Sequence, residues 1–288
     1  METIKNDHLK VEVSALGAEL QSITDAEGKE YLWQGDARYW NRRSPILFPL
    51  VGGVWRDTFR IDGKTYHSKR HGFARDRAFT LVKQGPDRVV YALHDDEETL
   101  EKYPYHFNLA VSYKLEANRI HVVWHVQNTD CRPIHFQIGG HPAFCLPDVS
   151  EGDPIHGYLK VDAETLQCSM LNAEGNRVEG ITPIETDEGI LEFTEDTFKD
   201  DALILDNCQL RHIEILDKKG APQVTVDFKS PAVGIWTPYG KHAPFLCIEP
   251  WYGVADSEGY EGEFSERHLM NHLLPGSSFM CEYVITIG

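Results

Sequence analysis

Glu249 is a single acid in an otherwise apolar run. Residues 245–253 read Phe245, Leu246, Cys247, Ile248, Glu249, Pro250, Trp251, Tyr252 and Gly253. An ionised carboxylate is costly to bury without partners. The run must therefore either supply Glu249 with hydrogen bonds or raise its pKa toward that of a general base. On an extended strand Cys247, Glu249 and Trp251 share one face, and Leu246 and Ile248 share the other. An indole beside a carboxylate suits a sugar pocket, because the aromatic ring can cover the apolar face of a pyranose. The plain alternative is a structural Glu that accepts backbone hydrogen bonds at a strand end.

A second polar group sits in residues 136–144, which run Phe136, Gln137, Ile138, Gly139, Gly140, His141, Pro142, Ala143, Phe144. The paired glycines permit close approach of backbone or ligand. Pro142 removes a ladder donor, so the strand should end there with His141 at its exit, facing a cavity. Histidine is the usual proton donor or acceptor near neutral pH. Taken alone, a histidine in such a run is more often a core residue with both nitrogens satisfied than a catalytic one. A third cluster comes earlier: Arg42 and Arg43 precede the apolar run 44–49, and Lys69, Arg70, His71, Gly72, Phe73, Ala74, Arg75 and Asp76 follow Gly52 and Gly53.

Metal and nucleotide chemistry find little support. His67 and His71 are four apart, as are His268 and His272. The first pair lies in a loop-like basic segment, and the second lacks the interposed general-base Glu of a zinc protease helix. Solvent-facing histidines are expected in both cases. The Gly-Gly pairs match no phosphate-binding pattern.

Taken in order, Arg43 to Pro49, His71 to Arg75, Tyr103 to Tyr105, Gly140 to Phe144 and Glu249 to Trp251 resemble the aldose 1-epimerase (galactose mutarotase) family. Within it they are most similar to the bacterial branch named for the X gene of the lactose operon. Residues 16–20 fit the family's first strands, so the resemblance runs nearly end to end. It implies a galactose mutarotase-like β-supersandwich. It also implies that Glu249 is the general base, His141 the general acid, and Arg43 and His71 the groups that hold sugar hydroxyls and the ring oxygen. Asp206 is the candidate for the family's hydroxyl-binding Asp, or else a turn residue before Asn207. Trp251 is expected against the sugar. In that chemistry the base takes the C1 hydroxyl proton while the acid protonates the ring oxygen. The ring opens, C1–C2 rotates, and closure occurs on the other carbonyl face. No metal or other cofactor is required. A bell-shaped pH profile is expected, with the acid limb from the carboxylate and the alkaline limb from the imidazolium.

Strands must position these residues. Phe107, Leu109, Val111, Tyr113 and Leu115 alternate with mostly polar residues, and Ile120, Val122, Trp124 and Val126 repeat the pattern after a short polar connection. This is a β-hairpin signature. Ile213 and Ile215 followed by Val224, Val226 and Phe228 suggest another, and a last strand from Phe279 to Ile287 would close the sheet. Residues 95–102 place acids before a base just ahead of Pro104, which suits one short helix. Residues 263–272 suit a turn or two of helix. The reading is all-β: one large antiparallel β-sandwich with few short helices, spanning 1–288 as a single domain.

Composition narrows the partners. The 288 residues carry a formal net charge of −17, which disfavours nucleic acid and anionic membrane surfaces. No apolar run is long enough for a bilayer, and no secretion signal is visible at the N-terminus. Six cysteines without paired spacing suit reduced thiols in a cytoplasm. The expected partner is a small-molecule carbohydrate, and the oligomeric state stays open. Two relatives of the leading reading share its fold: a hexose-6-phosphate 1-epimerase, marked by two or more arginines at the pocket rim, and a non-catalytic sugar-binding protein. A glycosidase or lyase would need a second carboxylate opposite Glu249, for which Asp206 is the sole candidate.

Overall fold

The computed structural model of the protein describes residues 1–149, 153 and 155–288. Two large antiparallel sheets face one another across the main core. The first has nine strands, in the order Ile190–Phe193, Gly157–Val161, His212–Leu216, Pro222–Phe228, Ser278–Ile287, Arg119–Asn128, Phe107–Glu116, Arg88–His94 and Thr80–Gln84. The second has eight: Arg177–Glu185, Thr165–Leu171, Leu203–Leu205, Ala232–Trp236, Phe245–Tyr252, Ile138–Gly140 and Ile46–Leu47, with Ala143–Cys145 also paired to Phe245–Tyr252.

The period-two pattern dictates how these sheets pack. In Arg119–Asn128 every second residue from Ile120 to Asn128 is buried, and Ile120, Val122, Trp124 and Val126 enter the core. Leu109, Val111, Tyr113, Tyr283 and Ile285 join them from neighbouring strands, and Leu246, Ile248, Val233 and Ile235 meet them from the opposite sheet. Burying such side chains contributes roughly 1.5–3 kcal/mol each relative to exposure. The expected hairpins 107–128 and 212–228 both form.

Two elements differ from expectation. The C-terminal strand lies inside the nine-stranded sheet, because both of its edges are paired, to Arg119–Asn128 and to Pro222–Phe228. Residues 263–272 form only a 3-10 turn at Phe264–Glu266. The buried Arg267 side chain turns inward to Asp256 at 2.5 Å, Leu269 takes a φ of 55°, and the chain leaves as the short strand Asn271–Leu273 paired with Ile134–Phe136. The short helix Glu97–Lys102 is present, with Asp96 and Thr99 forming a reciprocal capping box.

The eight-stranded sheet has a second, outward face that carries the residues of interest. There Phe245, Cys247 and Ala143 pack with Trp33 and Ala243, while Trp251 packs with Leu47, Val51, Ile204, Ala232 and Val254. Glu249 lies between these two small apolar clusters.

Candidate active site

Phe245–Tyr252 is buried along nearly its whole length, as its sequence requires, and Glu249 is 1% exposed at its centre. The strand alternates as expected: Leu246 and Ile248 join the main core, and Cys247 and Trp251 join the outward clusters that flank Glu249. Two glycines make room above the sheet. A Cβ at Gly139 would lie 2.6 Å from the Trp251 ring, and one at Gly234 would meet the same ring at 2.6 Å. The indole therefore lies flat across strands on both sides of its own.

His141 occupies the break between Ile138–Gly140 and Ala143–Cys145, both of which pair with the Glu249 strand. Its N–H donates to the Pro45 carbonyl at 3.0 Å, and the Pro142 carbonyl accepts from Ile248 at 3.2 Å, which fixes the break on both sides. The ring stacks on Trp40 with centroids 4.8 Å apart and meets Trp236 edge-on at 5.7 Å. Its Nε2 is 3.2 Å from Glu249 Oε2.

His71 approaches from the opposite wall, its ring centroid 5.5 Å from that of His141. It adopts a φ of 70°, uncommon for a residue with a side chain. Its Nδ1 accepts the Gly52 N–H at 3.1 Å, so in the neutral ring Nε2 carries the hydrogen and is a donor. Asp201 is a second strained residue, with φ 81°, and its carboxylate accepts from Arg70 at 2.9 Å.

These groups line one cavity of about 240 Å³ that contains Glu249, His141, His71, Trp251, Trp40, Trp236, Arg70, Arg75 and Asp201. Four buried polar atoms in it have no hydrogen-bond partner among the described residues: Glu249 Oε2, His141 Nδ1, Trp251 Nε1 and Arg75 Nε. Buried polar atoms are normally satisfied, so this concentration marks a place where a polar ligand completes the set.

Burial dominates the electrostatics. It pushes the Glu249 carboxyl well above the usual carboxylate range, and the charge of Asp201 reinforces the effect. Burial also lowers His141 to about 3, with Arg75 adding to it, and holds His71 well below the ordinary imidazole value. With the cavity free of ligand, both histidines are neutral near neutral pH, and the Glu249 carboxyl holds its proton to a higher pH than an ordinary carboxylate. Arg75 is brought down to about 10, first by burial and then by Arg42. It is still cationic near neutral pH.

Two residues expected at the site lie elsewhere. The Arg43 guanidinium donates to the Gln21 carbonyl at 2.5 Å, while the Arg43 N–H donates to Glu19 at 2.9 Å. It braces the entry to Ile46–Leu47 and does not line the cavity. Asp206 accepts from Arg177 at 3.3 Å and Asn207 at 2.8 Å, and lies 3.4 Å from His268 Nε2. The His268 contact, with Arg177, holds its carboxyl below the ordinary range. Asp206 follows the strand Leu203–Leu205 just before the turn at Asn207 and Cys208, buried and ion-paired outside the cavity lining. The cationic and acidic places in the cavity go to Arg75, Arg70 and Asp201. Arg75 belongs to a segment marked in the sequence, whereas Asp201 follows Lys199 and Asp200 and looks like an ordinary solvated turn. The paired histidines hold no common metal geometry: His272 Nδ1 meets His135 Nδ1 at 2.8 Å, and His67 lies in the hairpin Thr58–His67.

Comparison with known proteins fits this geometry. The sequence profile of the aldose 1-epimerase family matches residues 2–258. The chain belongs to the aldose 1-epimerase family. It is 31% identical to the chromosomal LacX protein of Lactococcus lactis subsp. lactis, over 99% of this chain and 98% of that protein. The plasmid LacX protein of the same organism matches to the same extent. Among solved structures, a galactose mutarotase related enzyme from Lactobacillus acidophilus superposes with a TM-score of 0.93 at 33% identity, covering 100% of this chain and 97% of that one. A galactose mutarotase-like protein from Lactobacillus casei gives 0.93 at 30% identity, with both chains fully covered. The fold of this aldose 1-epimerase family member is thus galactose mutarotase-like and mostly β, and no helix among the described residues is long and apolar enough to cross a membrane.

Proposed function

We propose that this family member is an aldose 1-epimerase that interconverts the α and β anomers of a free hexose by acid–base ring opening. One observation carries the reading: Glu249 and His141, 3.2 Å apart, each present an unpartnered buried polar atom in a single sugar-sized cavity. Simple sugar binding needs no matched proton donor and acceptor. The whole chain, 1–288, serves as one unit in this reading, since the two sheets share the core that supports the cavity floor.

The reaction needs one group to accept the C1 hydroxyl proton while another protonates the ring oxygen. The Glu249–His141 pair, with Nε2 and Oε2 3.2 Å apart, can carry one proton either way, as carboxyl with neutral imidazole or as carboxylate with imidazolium. Either arrangement contains one donor and one acceptor. Before the sugar binds, burial favours the first. A bound sugar brings hydroxyl dipoles to the unpartnered carboxyl oxygen and thereby eases ionisation of Glu249. The His71 Nε2–H and the Arg75 guanidinium are fixed donors for the open-chain aldehyde oxygen or the hydroxyls. Trp251 offers a ring face to the apolar side of the pyranose, and Trp40, stacked on His141, walls the cavity beside it.

A phosphorylated hexose is the second reading, favoured by Arg70 and Arg75 at the cavity wall. NMR exchange measured with α-glucose, α-galactose and glucose-6-phosphate separates the two. Faster exchange of a free hexose than of the phosphate is expected. Preference for the phosphate would promote the second reading, and no acceleration of any of the three would remove both.

A further inference from the structure

Cys247 is the one group near the proton-transfer pair with no part in the proposed chemistry. It is fully buried, two residues before Glu249 on the same strand face, and it lies under the cavity rather than in its lining. Ala143, two residues beyond His141, is its cross-strand neighbour. Register therefore brings three chemically different donors together: a thiol, an imidazole nitrogen and a carboxylate oxygen, all within 4.8 Å of one another. Glu249 Oε2 and His141 Nδ1 are both buried without a hydrogen-bond partner, so neither side chain is fully committed to another protein group.

We propose that His141, Cys247 and Glu249 form a three-ligand site for a thiophilic divalent cation such as Zn²⁺, and that the cation inhibits the protein by occupying the proton-transfer pair. A tetrahedral zinc with one sulfur, one nitrogen and one oxygen ligand has ligand–ligand edges of about 3.3–3.7 Å, so side-chain rotation of about 1 Å closes the site. One thiolate and one imidazole select Zn²⁺, Co²⁺ or Cd²⁺ over Mg²⁺ or Ca²⁺, which require all-oxygen shells. Binding ionises the Cys247 thiol, and the Glu249 carboxyl where it carries a proton, and releases those protons to solvent. The fourth coordination position faces the cavity, where water or a sugar hydroxyl can reach it. Arg75 lines the same cavity and repels a cation, which moderates the affinity. The sugar would touch Glu249 and His141 but not Cys247. Metal and sugar therefore compete, and the thiol separates the two activities.

The test uses the full chain after treatment with a chelator. Titration with Co²⁺ should produce a thiolate-to-cobalt charge-transfer band that saturates at one equivalent and disappears when Zn²⁺ is added. Cys247→Ser should abolish the band, bind Co²⁺ at least about tenfold more weakly by calorimetry, and keep its metal-free anomer exchange. Glu249→Gln, which is isosteric, should weaken Co²⁺ binding as well and serves if Cys247→Ser does not fold. In the exchange assay Zn²⁺ should inhibit the wild type in competition with sugar and spare Cys247→Ser. Absence of Co²⁺ binding, a complex without the charge-transfer band, or unchanged affinity in both variants would overturn the proposal. The inhibition arm rests on the anomerase reading, whereas the cobalt band does not. A protein with the band and no exchange refutes only that reading, and one with exchange and no band refutes only the metal site.

Discussion

Replacing His141 with Asn should change how stability depends on pH, by an amount the site itself sets. His141 is 8% exposed and sits among Trp40, Trp236 and His71, and burial lowers it to about 3 from an ordinary 6.5. Its folded value is depressed, so between these limits the unfolded chain binds the proton that the folded chain refuses. Stability then rises with pH across this window and is lost as pH falls below about 6.5. At about 1.4 kcal/mol per pH unit the full penalty is on the order of 5 kcal/mol near pH 3, and roughly half of it is already present at pH 4.5. His141→Asn removes the titration and keeps a polar side chain of similar size. The measurement is urea unfolding of both proteins at pH 7 and pH 4.5. The stability of wild type relative to His141→Asn should be lower at pH 4.5 than at pH 7 by about 2–3 kcal/mol, or about 1 M in urea midpoint. Titrating groups distant from His141 are common to both chains and cancel in the difference, which leaves His141 and the response of its neighbours Glu249 and His71. Parallel pH dependence of the two proteins would show that His141 protonates freely in the folded state, and would refute the burial argument.

The same electrostatics rearrange the expected pH profile: the acid limb of sugar-free kcat/KM belongs to the imidazole and moves toward about pH 3, while the alkaline limb follows loss of the Glu249 proton. Measured limbs that bracket only pH 5–7 would restore the order expected from sequence. Glu249→Gln should lower anomer exchange by at least about 10²–10⁴-fold while sugar binding by calorimetry persists; wild-type exchange in this variant would exclude Glu249 from proton transfer. Arg75→Met should raise KM for the hexose, whereas Arg43→Met should leave exchange near wild type, a contrast that steady-state kinetics on the pair decides. Gly234→Ala forces a methyl against the Trp251 ring and should cost about 1–3 kcal/mol by thermal unfolding together with sugar affinity. Chelation should not reduce exchange, and recovery of a chelated, inactive protein by zinc would overturn the metal-free mechanism.

Much of the fold was legible because alternation is a local property. The hairpin 107–128 and the facing of Cys247, Glu249 and Trp251 follow from period two alone. His141 was legible as well, since glycines and a proline around a lone histidine mark a break in a strand. Arg43 was not, because the direction of its side chain is decided by the Gln21 carbonyl, more than twenty residues away, and nothing nearby encodes that contact. Asp201 was hidden for the opposite reason: a run of Lys199, Asp200 and Asp201 carries every local sign of solvent exposure. Only the positive φ at Asp201 and its bond to Arg70 aim it at the cavity. Residues 263–272 keep a helical spacing that the buried Arg267–Asp256 pair overrides.

The two halves of the cavity are built from different material. Glu249 and His141 are carried on, or pinned directly to, the central ladder of a sheet, where moving one residue means breaking several neighbouring pairings. Arg70, Arg75 and Asp201 stand outside the strands of the two large sheets, on connecting segments. Such a molecule can be retrained cheaply. Substitutions in the segments around residues 69–76 and 199–202 can alter which sugar is held, or admit a charged one, without disturbing the distance across which the proton travels. Lineages that diverge this way would keep one reaction while exchanging diets, and a designer seeking a new substrate should leave the ladder untouched and work on the walls.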